Sequence, residues 1–228
     1  MSAFDWKGIE ETLFADGYAH VRGVANADEC EVLRGLYDDD RHFRSRVVME
    51  RHNFGSGEYK YFAYPLPAPV SELRQRLYAE LAPIANRWNE RLGMKERYPA
   101  QVQQYLLQCS EHGQSRPTAL ILRYEAGDYN CLHQDTYGEM AFPFQATLFL
   151  SSRNEYTGGE FVLTEQRPRA QTRAIVIGPD AGDLVIIPNR YRPVQGRSGF
   201  YRTAFRHGVS EIRSGIRFAL GIILHDAA

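Results

Sequence analysis

His133 and Asp135 stand two residues apart, a second imidazole follows at His207, and Arg217 lies ten residues beyond it. Two imidazoles and one carboxylate can occupy one face of a metal ion and leave the opposite face open. Non-heme Fe(II) uses that arrangement to admit a co-substrate and dioxygen. On a β-strand, residues i and i+2 point to the same side, so His133 and Asp135 could grip one ion together. The pair alone says little: with seven His and eleven Asp in 228 residues, about 0.3 such pairs arise by chance. Its weight comes from His207, which directly follows the β-like run Phe200–Arg206, and from Arg217 in a later strand-like run. A planar guanidinium captures a carboxylate through two parallel hydrogen bonds, which a lysine point charge does not.

Groups so far apart in sequence need a sheet scaffold to meet. From about residue 101 the chain turns to short β-rich runs: Thr118–Tyr124, Gln145–Ser151, Glu160–Thr164, Arg173–Ile177, Asp183–Ile187 and Ile216–Leu224. Gly127-Asp128, Gly158-Gly159, Pro179–Gly182 and Ser214-Gly215 separate them. Many short strands at this spacing predict a mixed α+β fold whose core is a double-stranded β-helix, or jelly roll, with N-terminal helices packed on one sheet. Residues 1–100 read as the helical and mixed support region and residues 101–228 as the jelly-roll core of one integrated domain. Within the support, Tyr18–Val24 alternates like a strand, and Asn26 offers an N-cap for a helix through about Asp38. A longer helix is expected from Pro69 to Leu92, stopped by Gly93, with Leu73, Leu77, Leu81, Ile84 and Trp88 as the stripe that packs on a sheet. The run Gln108–Pro117 reads as a loop at the entry to the barrel.

A hydrophobic fraction of 43% and a charged fraction of 24% are ordinary for a globular chain. No apolar run reaches the length of a membrane span, and the first residues lack the basic and apolar regions of a secretory leader. Cys30, Cys109 and Cys131 are odd in number and scattered, which argues against a disulfide framework. A cytoplasmic location is therefore expected, with no membrane association and no obligate protein partner evident. On a regular strand Cys131 would share the face of His133, as a small packed thiol. The net charge of −1 conceals an asymmetry, since residues 153–217 carry 11 Lys+Arg against 6 Asp+Glu. Such a field favours an anionic substrate. Arg190, Arg192, Arg197, Arg202 and Arg206, interleaved with Tyr191, Phe200 and Tyr201, make a mixture able to contact phosphates and stack on an extruded base. A pI near 6.7 lacks the basicity common among nucleic-acid binders.

His133-x-Asp135, His207 and Arg217 resemble the iron triad and co-substrate anchor of the Fe(II)/2-oxoglutarate dioxygenases. The Thr157-Gly-Gly-Glu160-Phe block is similar to the prolyl-hydroxylase-like branch, and Arg123-Tyr124 with Gly127 and Leu132–Asp135 is similar to the AlkB repair oxygenases. More closely, Leu122 onward through Thr164–Arg169, Arg192–Gly196, Arg206–Ser210 and Gly221–Asp226 resembles a bacterial oxygenase family described as oxidatively demethylating damaged nucleic acid, over roughly the last 110 residues. The resemblance implies that His133, Asp135 and His207 bind Fe(II), and that Arg217 anchors 2-oxoglutarate while Tyr124 donates a hydrogen bond to it. It implies reaction with dioxygen to give succinate, CO2 and a hydroxylated C–H bond. The presence of Asp135 implies hydroxylation rather than halogenation. Two departures set the chain apart from AlkB: Leu122 replaces an asparagine that assists co-substrate binding, and no second arginine follows Arg217. Nucleic acid is thus a candidate substrate. The alternatives are a prolyl-hydroxylase-like or small-molecule hydroxylase, with Tyr59, Tyr61, Phe62 and Tyr64 as a lid, and a non-enzymatic oxygen or 2-oxoglutarate sensor.

Overall fold

Period-two alternation on the central strands sorts the core into two layers, one for helices and one for the site. The computed structural model describes residues 4–135 and 138–228. Its helices are α1 (Trp6–Asp16), α2 (Ala27–Gly35), α3 (Ala68–Arg91) and α4 (Val102–Glu111). Its strands are β1 (Ala19–Val21), β2 (Phe43–Val48), β3 (Gly55–Ser56), β4 (Glu58–Phe62), β5 (Leu120–Tyr124), β6 (Tyr129–His133), β7 (Phe144–Phe149) and β8 (Tyr156–Gly158). They continue as β9 (Phe161–Gln166), β10 (Arg173–Ile177), β11 (Leu184–Pro188), β12 (Tyr191–Gly196), β13 (Gly199–Val209), β14 (Ile212–Gly215) and β15 (Arg217–Ile223). The major sheet runs β1-β11-β7-β15-β5-β4-β2 and the minor sheet β10-β9-β13-β6-β3, with β12 also paired to β13. The pairings are antiparallel, and β8 joins β14 in a separate ribbon. This is the expected jelly roll with helices against one sheet.

On β7, Phe144, Ala146 and Leu148 face the helices, as do Leu184 and Ile186 of β11, Leu220 and Ile222 of β15, and Ile121 of β5. The stripe Leu73, Leu77, Leu81, Ile84 and Trp88 of α3 packs on this surface. Each such buried side chain contributes roughly 1.5–3 kcal/mol, and Trp88 also donates its indole N–H to the Tyr191 carbonyl at 2.9 Å. The intervening residues face the barrel interior, where Phe149, Val185, Ile187, Phe161, Leu163 and Phe205 form a second cluster. The helix boundaries follow local chemistry. Asn26 and Glu29 close a reciprocal capping box at α2, and α3 stops before Gly93, whose φ is +68°.

Two expectations are corrected. The stretch expected to be β-rich and looped from residue 101 opens with α4, whose Val102, Tyr105 and Cys109 are buried at helical spacing. Its C-terminal extension is pinned too, since Gln114 donates to the carbonyls of Met140 (2.9 Å) and Asp226 (2.6 Å). The aromatics assigned to a lid instead lie in and after β4. Tyr59 and Tyr61 face the barrel cavity, Phe62 is in the helical core, and Tyr64 bonds Asp226 and Arg74 at 2.8 Å each. β1, β2 and β4, all from the first hundred residues, extend both edges of the major sheet. No helix among the described residues is long and apolar enough to cross a membrane.

Candidate active site

The register of β13 against β6 makes His207 the direct cross-strand partner of His133. Their ring centroids lie 4.2 Å apart. Asp135, just past the end of β6, places Oδ1 at 3.6 Å from Nε2 of His133 and Oδ2 at 3.3 Å from Nε2 of His207. The three residues each offer a ligand atom within 4.8 Å of the others. The side chains of Asp135 and His207 are 8% and 12% exposed, whereas that of His133 is 34% exposed, so the site opens on the His133 side.

The protonation states suit a cation. Burial pushes the Asp135 carboxyl up, but the hydrogen bond and charge of His207, the charge of His133 and the Gln145 amide together hold it well below the usual carboxylate range. Burial, aided by the neighbouring His207, pushes His133 down, against the pull of Asp135 and a backbone bond to Cys131. Nδ1 of His133 lies 2.7 Å from the Cys131 carbonyl. That contact fixes the proton on Nδ1 and leaves the Nε2 lone pair for a metal, as a backbone carbonyl bonded to the far nitrogen does for histidine ligands.

Gln145, on β7, was not singled out from sequence. It donates from Nε2 to Oδ2 of Asp135 at 2.7 Å, and the same nitrogen lies 3.4 Å from Nε2 of His207. Asn130 was missed as well. Between His207 and Val209 the pairing slips, so that Val209 opposes Asn130 rather than Cys131. This β-bulge turns Asn130 to the cavity, where Nδ2 donates to the Tyr124 hydroxyl at 3.2 Å. The bulge also corrects the expectation for Cys131, which is exposed at the cavity rim rather than packed beneath His133. Gln145 and Thr147 carried one readable signal: both are polar at alternate positions of an otherwise apolar strand.

The His133, Asp135 and His207 cluster, which could hold a metal ion, opens into a cavity of about 340 Å³ that also contains Tyr124, Gln145, Thr147 and Arg217. Arg217 pairs with Tyr124 across β15 and β5 and is only 2% exposed. Its Nε is buried without a hydrogen-bond partner, and among the described residues it makes no ion pair. The rings of Phe149 and Tyr124 lie 5.0 and 5.6 Å from the guanidinium carbon. Cation–π contact returns about 0.5–2 kcal/mol, whereas burying an ion costs several kcal/mol even after relaxation. The balance calls for an anion beside Arg217. Gly159 in the Thr157–Glu160 block explains part of the packing: its φ is +63°, and a Cβ there would meet Ile212 at 2.2 Å and Arg217 Cδ at 3.2 Å. Between Arg217 and Ile223, β15 turns only Ala219 and Gly221 to the cavity, leaving space between the trio and the guanidinium. Tyr124 is fully buried, and burial, against the Arg217 charge and the Asn130 bond, leaves its hydroxyl pushed up to about 12. A metal cation at one end and a carboxylate at the other fit this donor set.

The expected substrate-facing arginines divide. Arg192 is buried, donating to Glu165 at 2.9 Å and to the carbonyl of Phe14 at 3.0 Å, so it ties β12 to α1. Arg190, Arg197, Arg202 and Arg206 are exposed.

The fold and this site define the class, an oxygenase of the jelly-roll, 2-oxoglutarate/Fe(II) kind, for which Fe(II), 2-oxoglutarate and dioxygen are metal and co-substrates. A family model described as "Oxygenase, catalysing oxidative methylation of damaged DNA" matches residues 57–227, well beyond the last 110 residues that carry the sequence resemblance. The chain belongs to that family. It is 45% identical over 168 residues to the uncharacterized protein Rv2227 of Mycobacterium tuberculosis, covering 73% of this chain and 72% of the relative. Similar solved structures share the fold at low identity. A Pseudomonas putida prolyl-4-hydroxylase superposes with a TM-score of 0.55 at 14% identity, over 98% of this chain and 99% of that one. A 2OG-Fe(II) oxygenase family oxidoreductase from Burkholderia pseudomallei gives 0.55 at 14% identity, over 100% and 94%.

Proposed function

We propose that the protein hydroxylates N-methyl groups on damaged nucleic acid, with Fe(II) held by His133, Asp135 and His207, and with 2-oxoglutarate anchored by Arg217 and Tyr124. The observation that carries the metal and co-substrate assignment is a buried arginine without a carboxylate partner among the described residues, in the same cavity as a two-imidazole, one-carboxylate cluster. Bound iron with 2-oxoglutarate and dioxygen supplies oxidative decarboxylation to succinate and CO2 together with insertion of one oxygen atom into a C–H bond.

The protein's own groups set the stage for that chemistry. Asp135 is held ionised and His133 neutral, so both present lone pairs without first losing a proton. The Gln145 amide restrains Oδ2 of Asp135 and leaves Oδ1 toward His133. Arg217 and the protonated Tyr124 hydroxyl bind the far carboxylate of the co-substrate, and Leu120, Leu122 and Ile223 exclude water from the wall between. On an N-methylated base, oxidation turns N–CH3 into N–CH2OH. Its C–N bond then breaks, the nitrogen regains a proton, and formaldehyde leaves, so the oxidative step removes the methyl group.

The substrate assignment rests on the description of the family and on the basic segment beside the site. It is tested by formaldehyde release from methylated single- and double-stranded oligonucleotides carrying methyladenine or methylcytosine. Release coupled to succinate is the expected result. Succinate without formaldehyde from any of these lesions would redirect the assignment to a prolyl-hydroxylase-like or small-molecule hydroxylase. Iron and 2-oxoglutarate binding with no succinate at all would mark a sensor. The three free cysteines fit action in the reducing cytoplasm.

A further inference from the structure

We infer that the β12–β13 hairpin and the C-terminal end of α3 form the track along which the phosphate backbone of a single-stranded nucleic acid runs to the metal site, an inference that rests on the nucleic-acid reading above. The hairpin starts at the site itself. β9 occupies one edge of β13 over residues 204–209, so β6 and β12 share the other, with β12 taking over from β6 beyond the metal cluster. Gln134, between two of the proposed ligands, bridges the junction by donating to the carbonyls of Phe205 (2.8 Å) and Arg190 (3.2 Å).

From that junction the surface is basic and aromatic. Between Asp183 and Glu211 the sequence has five arginines and no Asp or Glu. Only Arg192 among them is consumed by a carboxylate, whereas Arg190, Arg197 and Arg202 are exposed and make no ion pair among the described residues. Several surface arginines elsewhere are paired, as in Arg34–Glu155, Arg46–Glu58 and Arg87–Glu10, and others such as Arg51 and Arg173 are exposed without an ion pair among the described residues, so what sets the hairpin apart is the run of arginines with no intervening carboxylate and with aromatic rings between them. The register places Tyr191, Arg202 and Phe200 on one face of the hairpin. The Arg190 and Arg202 guanidinia lie 4.6 and 5.7 Å from the Tyr191 ring, and Arg91 of α3 lies 5.0 Å from that of Phe200. Arg202 also reaches the Leu92 carbonyl at 3.0 Å, which fastens the hairpin to the helix end. Unneutralised guanidinia alternating with rings, one of them 41% exposed at Phe200, match a flexible strand that offers phosphates and unstacked bases in turn. A duplex, its bases already stacked, would use the charges but not the rings.

The test is binding of a labelled, unmodified 15-nucleotide oligothymidylate to the full-length protein, followed by anisotropy across a salt series. Each phosphate contact contributes about −0.7 to the slope of log K against log salt for single strands. Arg190→Ala/Arg202→Ala is therefore expected to flatten the slope by about 1.4 and, for lines converging at 1 M salt, to weaken binding about 25-fold at 0.1 M. Arg190→Ala/Arg197→Ala, which spares the Leu92 contact, should give a similar change with an unaltered melting temperature. Phe200→Ala should weaken binding about 5- to 160-fold without altering the slope, and Arg41→Ala, on the paired surface, should do neither. Wild-type affinity and slope in both double variants would overturn the track, and would leave the repair reading standing if the wild type still releases formaldehyde from methylated oligonucleotides. Binding of heparin as tight as that of the oligonucleotide, with no effect of Phe200→Ala, would reduce the surface to a general polyanion patch and overturn the inference. No binding by the wild type together with no formaldehyde release would remove the nucleic-acid reading and the track with it.

Discussion

Replacing Arg217 by methionine should make the protein more stable in the absence of co-substrate and far worse at holding it. In the free protein Arg217 is 2% exposed, its Nε has no hydrogen-bond partner and, among the described residues, its guanidinium makes no ion pair and lies against the rings of Phe149 and Tyr124. Exchanging a buried charge for an apolar side chain of similar volume is neutral or stabilising, by about 1–4 kcal/mol. In a chain of this size that raises the melting temperature by about 2–4 °C per kcal/mol. With 2-oxoglutarate bound, the same exchange leaves a carboxylate buried without its cation. Removing one member of such a charge pair costs about 2–4 kcal/mol, or a roughly 30- to 900-fold loss of affinity. Arg217→Lys keeps the charge but not the two-pronged geometry, so it should fall between the two. The assay is a thermal melt with and without 2-oxoglutarate, beside the KM for 2-oxoglutarate in succinate formation. Saturation at 100 times Kd gives the wild type about 2.7 kcal/mol of added stability, which Arg217→Met should lose. An unchanged KM and an undiminished ligand-induced shift in Arg217→Met would refute the anchoring role.

Gln145→Leu removes the amide that restrains Asp135, and loss of such an outer contact is expected to lower metal affinity about 10- to 100-fold; Co(II) titration followed by visible absorption measures it, and an unaltered spectrum and affinity would reduce Gln145 to packing. Tyr124→Phe should raise the KM for 2-oxoglutarate about fivefold, the worth of one hydrogen bond. Because the hydroxyl is pushed up to about 12, the wild-type KM should show no break between pH 7 and 9 from this group. His225 is a buried imidazole whose Nδ1 accepts from the Phe142 N–H at 3.2 Å, and burial, with the Arg74 charge, lowers it to about 4. A histidine depressed on folding contributes stability that is full above its unfolded value near 6.5 and is lost as pH falls toward 4, here about 3 kcal/mol in all. Urea denaturation at pH 7 and 4.5 should show that loss in the wild type and a smaller one in His225→Asn, whose Oδ1 can still accept from Phe142.

The candidate site was legible because residue type and order survive in sequence: His133-x-Asp135, a later His207 and a buried-strand Arg217 need only strands to bring them together. What those strands do to one another is not written locally. The bulge that turns Asn130 inward and Cys131 to the rim depends on the pairing of β6 with β13, 70-odd residues away. Gln145 reaches Asp135 only because β7 faces the His133, Asp135 and His207 cluster across the barrel. β2 and β4 escaped notice because their charged residues, such as Arg46 and Glu58, obscure alternation near a sheet edge, where charges are ordinary. α4 did carry a signal in the spacing of Val102, Tyr105 and Cys109, but its glutamines made the stretch look like a loop. Arg192 looked equivalent to its exposed neighbours until the register set it beside Glu165.

The most direct test of the central claim is succinate formation from 2-oxoglutarate by the purified protein with Fe(II), ascorbate and air. Conversion by the wild type, abolished in His133→Ala and in Asp135→Ala proteins that remain folded, is the result the site geometry requires. Undiminished conversion in both variants, or none in an iron-loaded wild type, would contradict it.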